Sequence, residues 1–74
     1  AQVEQIRLIY DRLGEEALPE ELRALAALRL ENPEASLRDL GEMMDPPLSR
    51  SGVNHRLKRI EAIARGIAQG EEIE

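Results

Sequence analysis

Residues 36–60 read SLRDLGEMMDPPLSRSGVNHRLKRI, and this stretch decides the fold. Ser36 is a good helix N-cap, because its hydroxyl can accept a hydrogen bond from a free N–H of the first turn. Asp39, at the third helical position, nearly completes a capping box. Leu37, Leu40 and Met44 then line one side of a short helix. Gly41 lies on that same side, where the missing side chain lets another helix approach closely. Asp45-Pro46-Pro47 cannot continue a helix. Leu48 is apolar and is expected to plug the core from the turn. Ser49 or Ser51 can cap the helix that follows. Val53, Leu57, Ile60, Ala64 and Ile67 form its apolar stripe.

The spacing is that of a helix-turn-helix. Gly41 is the small residue of the first helix, Leu48 the plug and Val53 the buried residue of the second. Leu48 and Val53 are five positions apart, as that motif requires, and Gly41 and Leu48 are seven apart. The two positions beyond the minimal turn are accounted for by the Asp-Pro-Pro insertion. Helix, turn and helix with a small residue also occur in bundles that bind no nucleic acid, so charge has to separate the cases. Residues 48–68 hold five cations (Arg50, Arg56, Lys58, Arg59, Arg65) and one acid (Glu61), a local balance of +4. The rest of the chain balances to −9, within a net charge of −5. An acidic chain with one basic helix marks that helix as its binding face.

Working outward, residues 1–17 carry a helical stripe of Val3, Ile6, Tyr10 and Leu13, with Ile9 beside it. Gly14 suits the C-terminal stop. Residues 15–18 form a linker. Pro19 suits the first turn of a second helix, where its missing N–H costs nothing, and Glu20 and Glu21 favour the positive end of the dipole. Leu22, Leu25, Ala26 and Leu28 supply its buried face, and Asn32-Pro33 ends it. Beyond Ile67, Gly66 and Gly70 weaken the last helix, and Glu71, Glu72 and Glu74 read as a frayed acidic tail. No period-two pattern or repeat occurs. The expected fold is all-α, a compact four-helix domain. Its parts are a helix over residues 1–17 linking to a missing N-terminal domain, a helix-turn-helix domain over residues 18–68, and the acidic tail over residues 69–74. The first helix can pack within this domain or against the missing one.

Composition excludes several functions. The 74 residues make one small domain. There is no Cys and one His, so neither a disulfide nor a Cys/His metal cluster can form. Tyr10 is the only aromatic residue, which argues against a base-stacking surface for single strands. No stretch approaches the roughly 18 apolar residues of a membrane span. A nucleophile–base pair and a Gly-rich phosphate loop are both missing. The reading is a non-enzyme without cofactor, with a cytoplasmic, nucleoid-associated location.

A helical wheel centred on buried Val53, advancing 100° per residue, turns Ser51, His55 and Lys58 away from the core. Asn54 lies on one shoulder, Gly52 and Arg59 on the other, and Arg56 nearer the core edge. Arg50 projects forward from the first turn. Hydroxyl, amide, imidazole, guanidinium and ammonium groups read base edges in a major groove, with Arg or Lys on guanine and Asn on adenine. Arg59 is placed for a phosphate. The candidate DNA contacts are Ser49, Arg50, Ser51, Asn54, His55, Lys58 and Arg59, together with Ser36 and Arg38 at the start of the preceding helix. Plainer readings stand beside these. Arg65 alone reads as solvated surface, Arg56 can pair with Glu61 or an acidic neighbouring helix, and Met43 and Met44 read as rim and core. About four phosphate contacts would give a slope of log K against log salt of about −3 to −4.

The stretch LPEELRALAALRLENPEASLRDLGEMMDPPLSRSGVNHRLKRIEAIA resembles the C-terminal helix-turn-helix domain of the WhiA family of bacterial DNA-binding regulators. The carrying elements are LRLENPEASL, the DPP-L-S turn and SGVNHRLKRI. The resemblance covers about residues 18–65, without a departure inside the motif. It implies a fold similar to region 4 of sigma factors, and a missing N-terminal domain similar to LAGLIDADG homing endonucleases but without nuclease activity. It places residues 49–51, 54, 55 and 58 in a recognition helix. It further implies transcription regulation in sporulation or cell division and the cell cycle, with RNA polymerase and a WhiB-type iron-sulfur protein as partners. The expected function is sequence-specific binding of double-stranded DNA. A rival is a protein-interaction module that docks its basic helix on RNA polymerase or another acidic partner. Neither a membrane nor a small-molecule substrate is expected.

Overall fold

The computed structural model describes the backbone of residues 2–73 and the side chains of residues 2–70. Four α-helices follow in order: α1 (Gln2–Arg12), α2 (Glu20–Glu31), α3 (Leu37–Met43) and α4 (Arg50–Ile73), with a short 3-10 turn at Glu15–Ala17. No strand occurs among the described residues. The chain is all-α and compact, as the periodicity predicts.

The helix ends follow the local chemistry. Gly14 has φ of 84°, the left-handed region that glycine enters without steric cost. Its N–H donates to the carbonyls of Ile9 and Tyr10 at 3.1 and 3.0 Å, closing the end of α1. Pro19 stands just before α2 and Asn32 just after it. At α3 the capping box is complete: Ser36 Oγ accepts from the Asp39 N–H at 3.0 Å, and Asp39 Oδ2 accepts from the Ser36 N–H at 3.4 Å. The second bond is long because Asp is one methylene shorter than the usual Glu. Ser49 caps α4, its hydroxyl accepting from the Gly52 N–H at 3.1 Å.

The core is built on α4, which packs on α1, α2 and α3 and most extensively on α1. Ile6, Ile9, Leu18, Leu22, Leu25, Ala26, Leu40, Met44, Val53, Leu57, Ile60 and Ala64 are buried together. Burial of this aliphatic surface is the main term holding so short a chain folded. Val53, Leu57, Ile60 and Ala64 are the expected α4 stripe, and Ile67 packs at its margin. Leu28 and Leu37 are half-buried beside the core, as is the turn residue Leu48. At 24 residues α4 is about 36 Å long and accounts for most of the 41 Å long dimension.

Four details were not anticipated from the sequence. Leu13 is 55% exposed, and α1 instead buries Ile6 and Ile9. The reason is position: Leu13 follows the last helical residue, where the chain is already turning through Gly14. The backbone of α4 remains helical through Gly66 and Gly70 to Ile73, so most of the expected tail is helix, and Glu74 lies outside the described residues. Arg29, which shares the buried face of α2, is only 6% exposed. Its Nη1 donates to the carbonyls of Pro33 and Ala35 at 3.2 and 2.8 Å, with Asn32 further off at 3.4 Å. It thereby ties the α2–α3 loop to the end of α2. Its Nε is buried without a hydrogen-bond partner, so the clamp is incompletely satisfied.

The fourth departure concerns Gly41. The expected neighbour was a helix, but the nearest one is the turn. The Leu48 N–H donates to the Gly41 carbonyl at 3.0 Å, and a Cβ on Gly41 would stand 2.2 Å from the Leu48 carbonyl oxygen. Val53 Cγ2, on α4, would be 3.3 Å away. Backbone on backbone therefore fixes the angle between α3 and the turn, and α4 is the second contact.

Candidate nucleic-acid interface

The candidate face is the first half of α4, presented by the α3–turn–α4 junction. Val53 and Leu57 anchor the inner side of this segment in the core. Arg50, Ser51, Asn54, His55 and Lys58 are all exposed on the outer side, as the wheel predicts. Among the described residues none of these five side chains has a hydrogen bond or ion pair. No acidic residue occurs between Leu48 and Ile60. The face consists of solvated donors, plus the Asn54 amide and the Ser51 hydroxyl, which also accept.

The remaining cations are engaged. Arg59 Nη1 lies 2.7 Å from Glu21 Oε1, with the side chains 42% and 53% exposed. Arg56 Nη1 donates to the Glu21 backbone carbonyl at 2.9 Å. A single residue in the first turn of α2 therefore receives both arginines. Arg65 pairs with Glu61 one turn earlier on α4. These contacts select between the two readings of Arg56 and revise those of Arg65 and Arg59. Arg56 meets the neighbouring helix through a carbonyl, with Glu61 occupied by Arg65. Arg65 is paired, not simply solvated. Arg59, placed by the wheel for a phosphate, is turned toward α2.

The earlier candidates on α3 also have occupants. Ser36 spends its acceptor on the α3 cap, which leaves its own proton available to a ligand. Arg38 Nε lies 3.4 Å from Glu42 Oε1 in a pair that is highly exposed on both sides. Ser49 is likewise a cap. Missed entirely by sequence was Glu21. Its place in the first turn of α2 reads fully as a favourable dipole contact, and only the packing of α2 on α4 brings it to Arg59.

Where the start of α3 meets the start of α4, the surface dips. This hollow is lined by Leu37, Arg50, Ser51 and Asn54. A second depression runs along α4 between Lys58, Glu61, Ala62 and Arg65. Among the described residues no group of three metal-ligating side chains occurs, and no helix is long and apolar enough to cross a membrane. On α1, the Tyr10 hydroxyl pKa is raised above its ordinary value by burial and then by the nearby charge of Glu15.

Three comparisons bear on this arrangement. Residues 1–64 match the family model of the WhiA C-terminal HTH domain, a match that takes in α1 as well as the helix-turn-helix. A "Probable cell division protein WhiA" of Moorella thermoacetica is 54% identical over 72 residues, covering 96% of this chain and 23% of that protein. Its counterpart in Clostridium beijerinckii is 56% identical over 63 residues, covering 85% of this chain and 20% of that protein. The crystal structure of full-length DUF199/WhiA from Thermotoga maritima superimposes with a TM-score of 0.80 at 45% identity, covering 86% of this chain and 22% of that one. The chain thus spans about a fifth of the length of the relatives it matches.

Proposed function

The chain belongs to the family of WhiA C-terminal helix-turn-helix domains, and from that premise we propose that α4 is a recognition helix that enters the major groove of duplex DNA and reads its sequence. The observation that carries this reading is the acid-free outer face of residues 50–58, whose five exposed polar side chains have no partner within the described residues. Groups left solvated on one rigid face are available to base edges and phosphates without breaking an internal contact. Arg50 and Asn54 supply the base-reading chemistry, and Lys58 supplies a phosphate contact.

Available charge is smaller than formal charge. With Arg56, Arg59 and Arg65 engaged, two cations, Arg50 and Lys58, remain on the open face, and the expected slope of log K against log salt falls to about −2. The test is equilibrium binding to duplex DNA across a salt series, followed by selection of bound sites from random duplexes. A salt-dependent interaction that converges on one sequence supports the proposal. Salt-dependent binding with no preferred sequence would leave the face to the rival reading, docking on an acidic protein surface such as RNA polymerase. The relatives are named as probable cell division proteins, and we propose that a role of that kind is exercised here through transcription regulation. Sporulation and a WhiB-type partner belong to the same proposal.

A further inference from the structure

The hollow between α3 and α4 differs from the rest of the outer face in having an apolar wall. Leu37, the first residue of α3, is half-buried and packed against the core, so its position is set by the fold. Opposite it stand Arg50, Ser51 and Asn54 from the first two turns of α4. Residues 50 and 54 are one helical turn apart, so a ligand edge lying along α4 meets the guanidinium, the amide and the leucine together.

We propose that this hollow receives the methyl group of a thymine lying within one base-pair step of an adenine read by Asn54. The inference rests on the major-groove reading given above and names the base pair for which the site is built. An Asn amide offers one donor and one acceptor in a plane, which matches adenine N7 and the N6 amino group. Cytosine and guanine present no methyl to the major groove, and a phosphate is anionic and would stay solvated away from a leucine wall. Of the groups on the groove floor, only the thymine methyl gains from contact with Leu37. The hollow thus combines polar recognition of adenine with apolar recognition of thymine, and Leu37 becomes a specificity-determining residue outside the recognition helix.

The experiment uses the 74-residue chain and the site recovered by selection from random duplexes. Each thymine of that site is replaced singly by deoxyuridine, which removes the methyl and leaves base pairing intact. One replacement should weaken binding about fourfold, the factor that burial of one methyl-sized group supplies. That penalty should disappear in Leu37→Ala and persist in Leu37→Met, with thermal unfolding measured on both variants. Asn54→Ala should weaken the same site about fivefold or more and lose preference for adenine within one step of the sensitive thymine. If every deoxyuridine substitution leaves affinity of the unmodified chain unchanged, the hollow holds no methyl and the proposal fails. It fails too if the penalty is as large in Leu37→Ala. A selection that returns no preferred sequence would overturn the sequence-reading function itself, which is a separate outcome.

Discussion

The two halves of α4 carry similar cations and differ in what holds them. In the first half, Arg50 and Lys58 project into solvent with no internal partner among the described residues. From Arg59 onward the cations are answered by the protein itself, Arg59 by Glu21 and Arg65 by Glu61. Arg56 sits between the two regimes, bound to a carbonyl of α2. The sequence presents one basic helix of +4, whereas the fold divides it into a face that can meet DNA and a shoulder whose arginines are already held by Glu21 and Glu61. Local net charge thus overstates the charge a ligand can reach, because exposed pairs form wherever a neighbouring helix brings an acid within range.

The largest expected effect comes from breaking the platform that holds both halves in place. Gly41→Ala should destabilise the chain by about 1–3 kcal/mol, because its Cβ meets a backbone carbonyl that cannot rotate away. Gly41→Val should cost more, since its methyls also reach Val53. For a small domain with about 5 kcal/mol of stability, either is a large fraction. Thermal unfolding of both variants checks this, and an unchanged midpoint for Gly41→Ala would mean that the turn does not close on α3 as described.

The next effect sharpens the division of α4. Lys58→Ala should weaken binding to all duplexes alike and flatten the salt slope by about 1. Arg65→Ala, which removes a paired cation, should leave affinity and slope close to those of the parent. Comparable losses from the two substitutions, measured by anisotropy over a salt series, would show that pairing with Glu61 does not withdraw Arg65 from the interface.

A smaller effect tests the shoulder from the acidic side. Glu21→Gln frees Arg59 and removes a negative charge from the rim of the binding face. Exposed pairs contribute about 1 kcal/mol or less, so binding should tighten by about fivefold at most, with a steeper salt slope. The gain should shrink when Arg59→Ala is added, leaving only the part due to the lost negative charge. Weaker binding by Glu21→Gln would instead mean that Glu21 holds Arg59 in a productive orientation.

The smallest effect concerns the distal end of α4. A Cβ on Gly66 would meet nothing within 4 Å, so Gly66→Ala should raise stability by about 1 kcal/mol or less through helix propensity alone. DNA affinity should stay unchanged, because this turn lies beyond the face. A fall in the unfolding midpoint would contradict the open surroundings of Gly66.

Much of this architecture was legible locally. Ser36 and Ser49 cap helices because a short hydroxyl side chain at that position reaches the N–H three residues on. Gly14 ends α1 because only glycine enters its backbone region freely. The wheel correctly placed Ser51, Asn54, His55 and Lys58 outside, because they share one helix with a stripe of buried aliphatic residues. Two positions, Leu13 and Arg29, did not follow from the pattern. Leu13 matched a helical stripe that the chain leaves one residue too early. Arg29 reads as a surface cation on charge alone, yet it lies at three- and four-residue spacing from Leu25 and Ala26, a signal that could have found it.

The sequence by itself determined the all-α class, the caps at Gly14, Ser36 and Ser49, the helix-turn-helix order and the polar outer face of α4. Each follows from interactions among residues close in the chain, where capping, proline and hydrophobic period act within one or two turns. Tertiary structure alone decided that Gly41 is closed by the Leu48 carbonyl, that Glu21 holds Arg59, and that Leu37 joins Arg50 and Asn54 around one hollow. Those outcomes depend on the angle and register at which helices pack. Packing is set by how the whole aliphatic core fills space, a collective property that no single local pattern encodes.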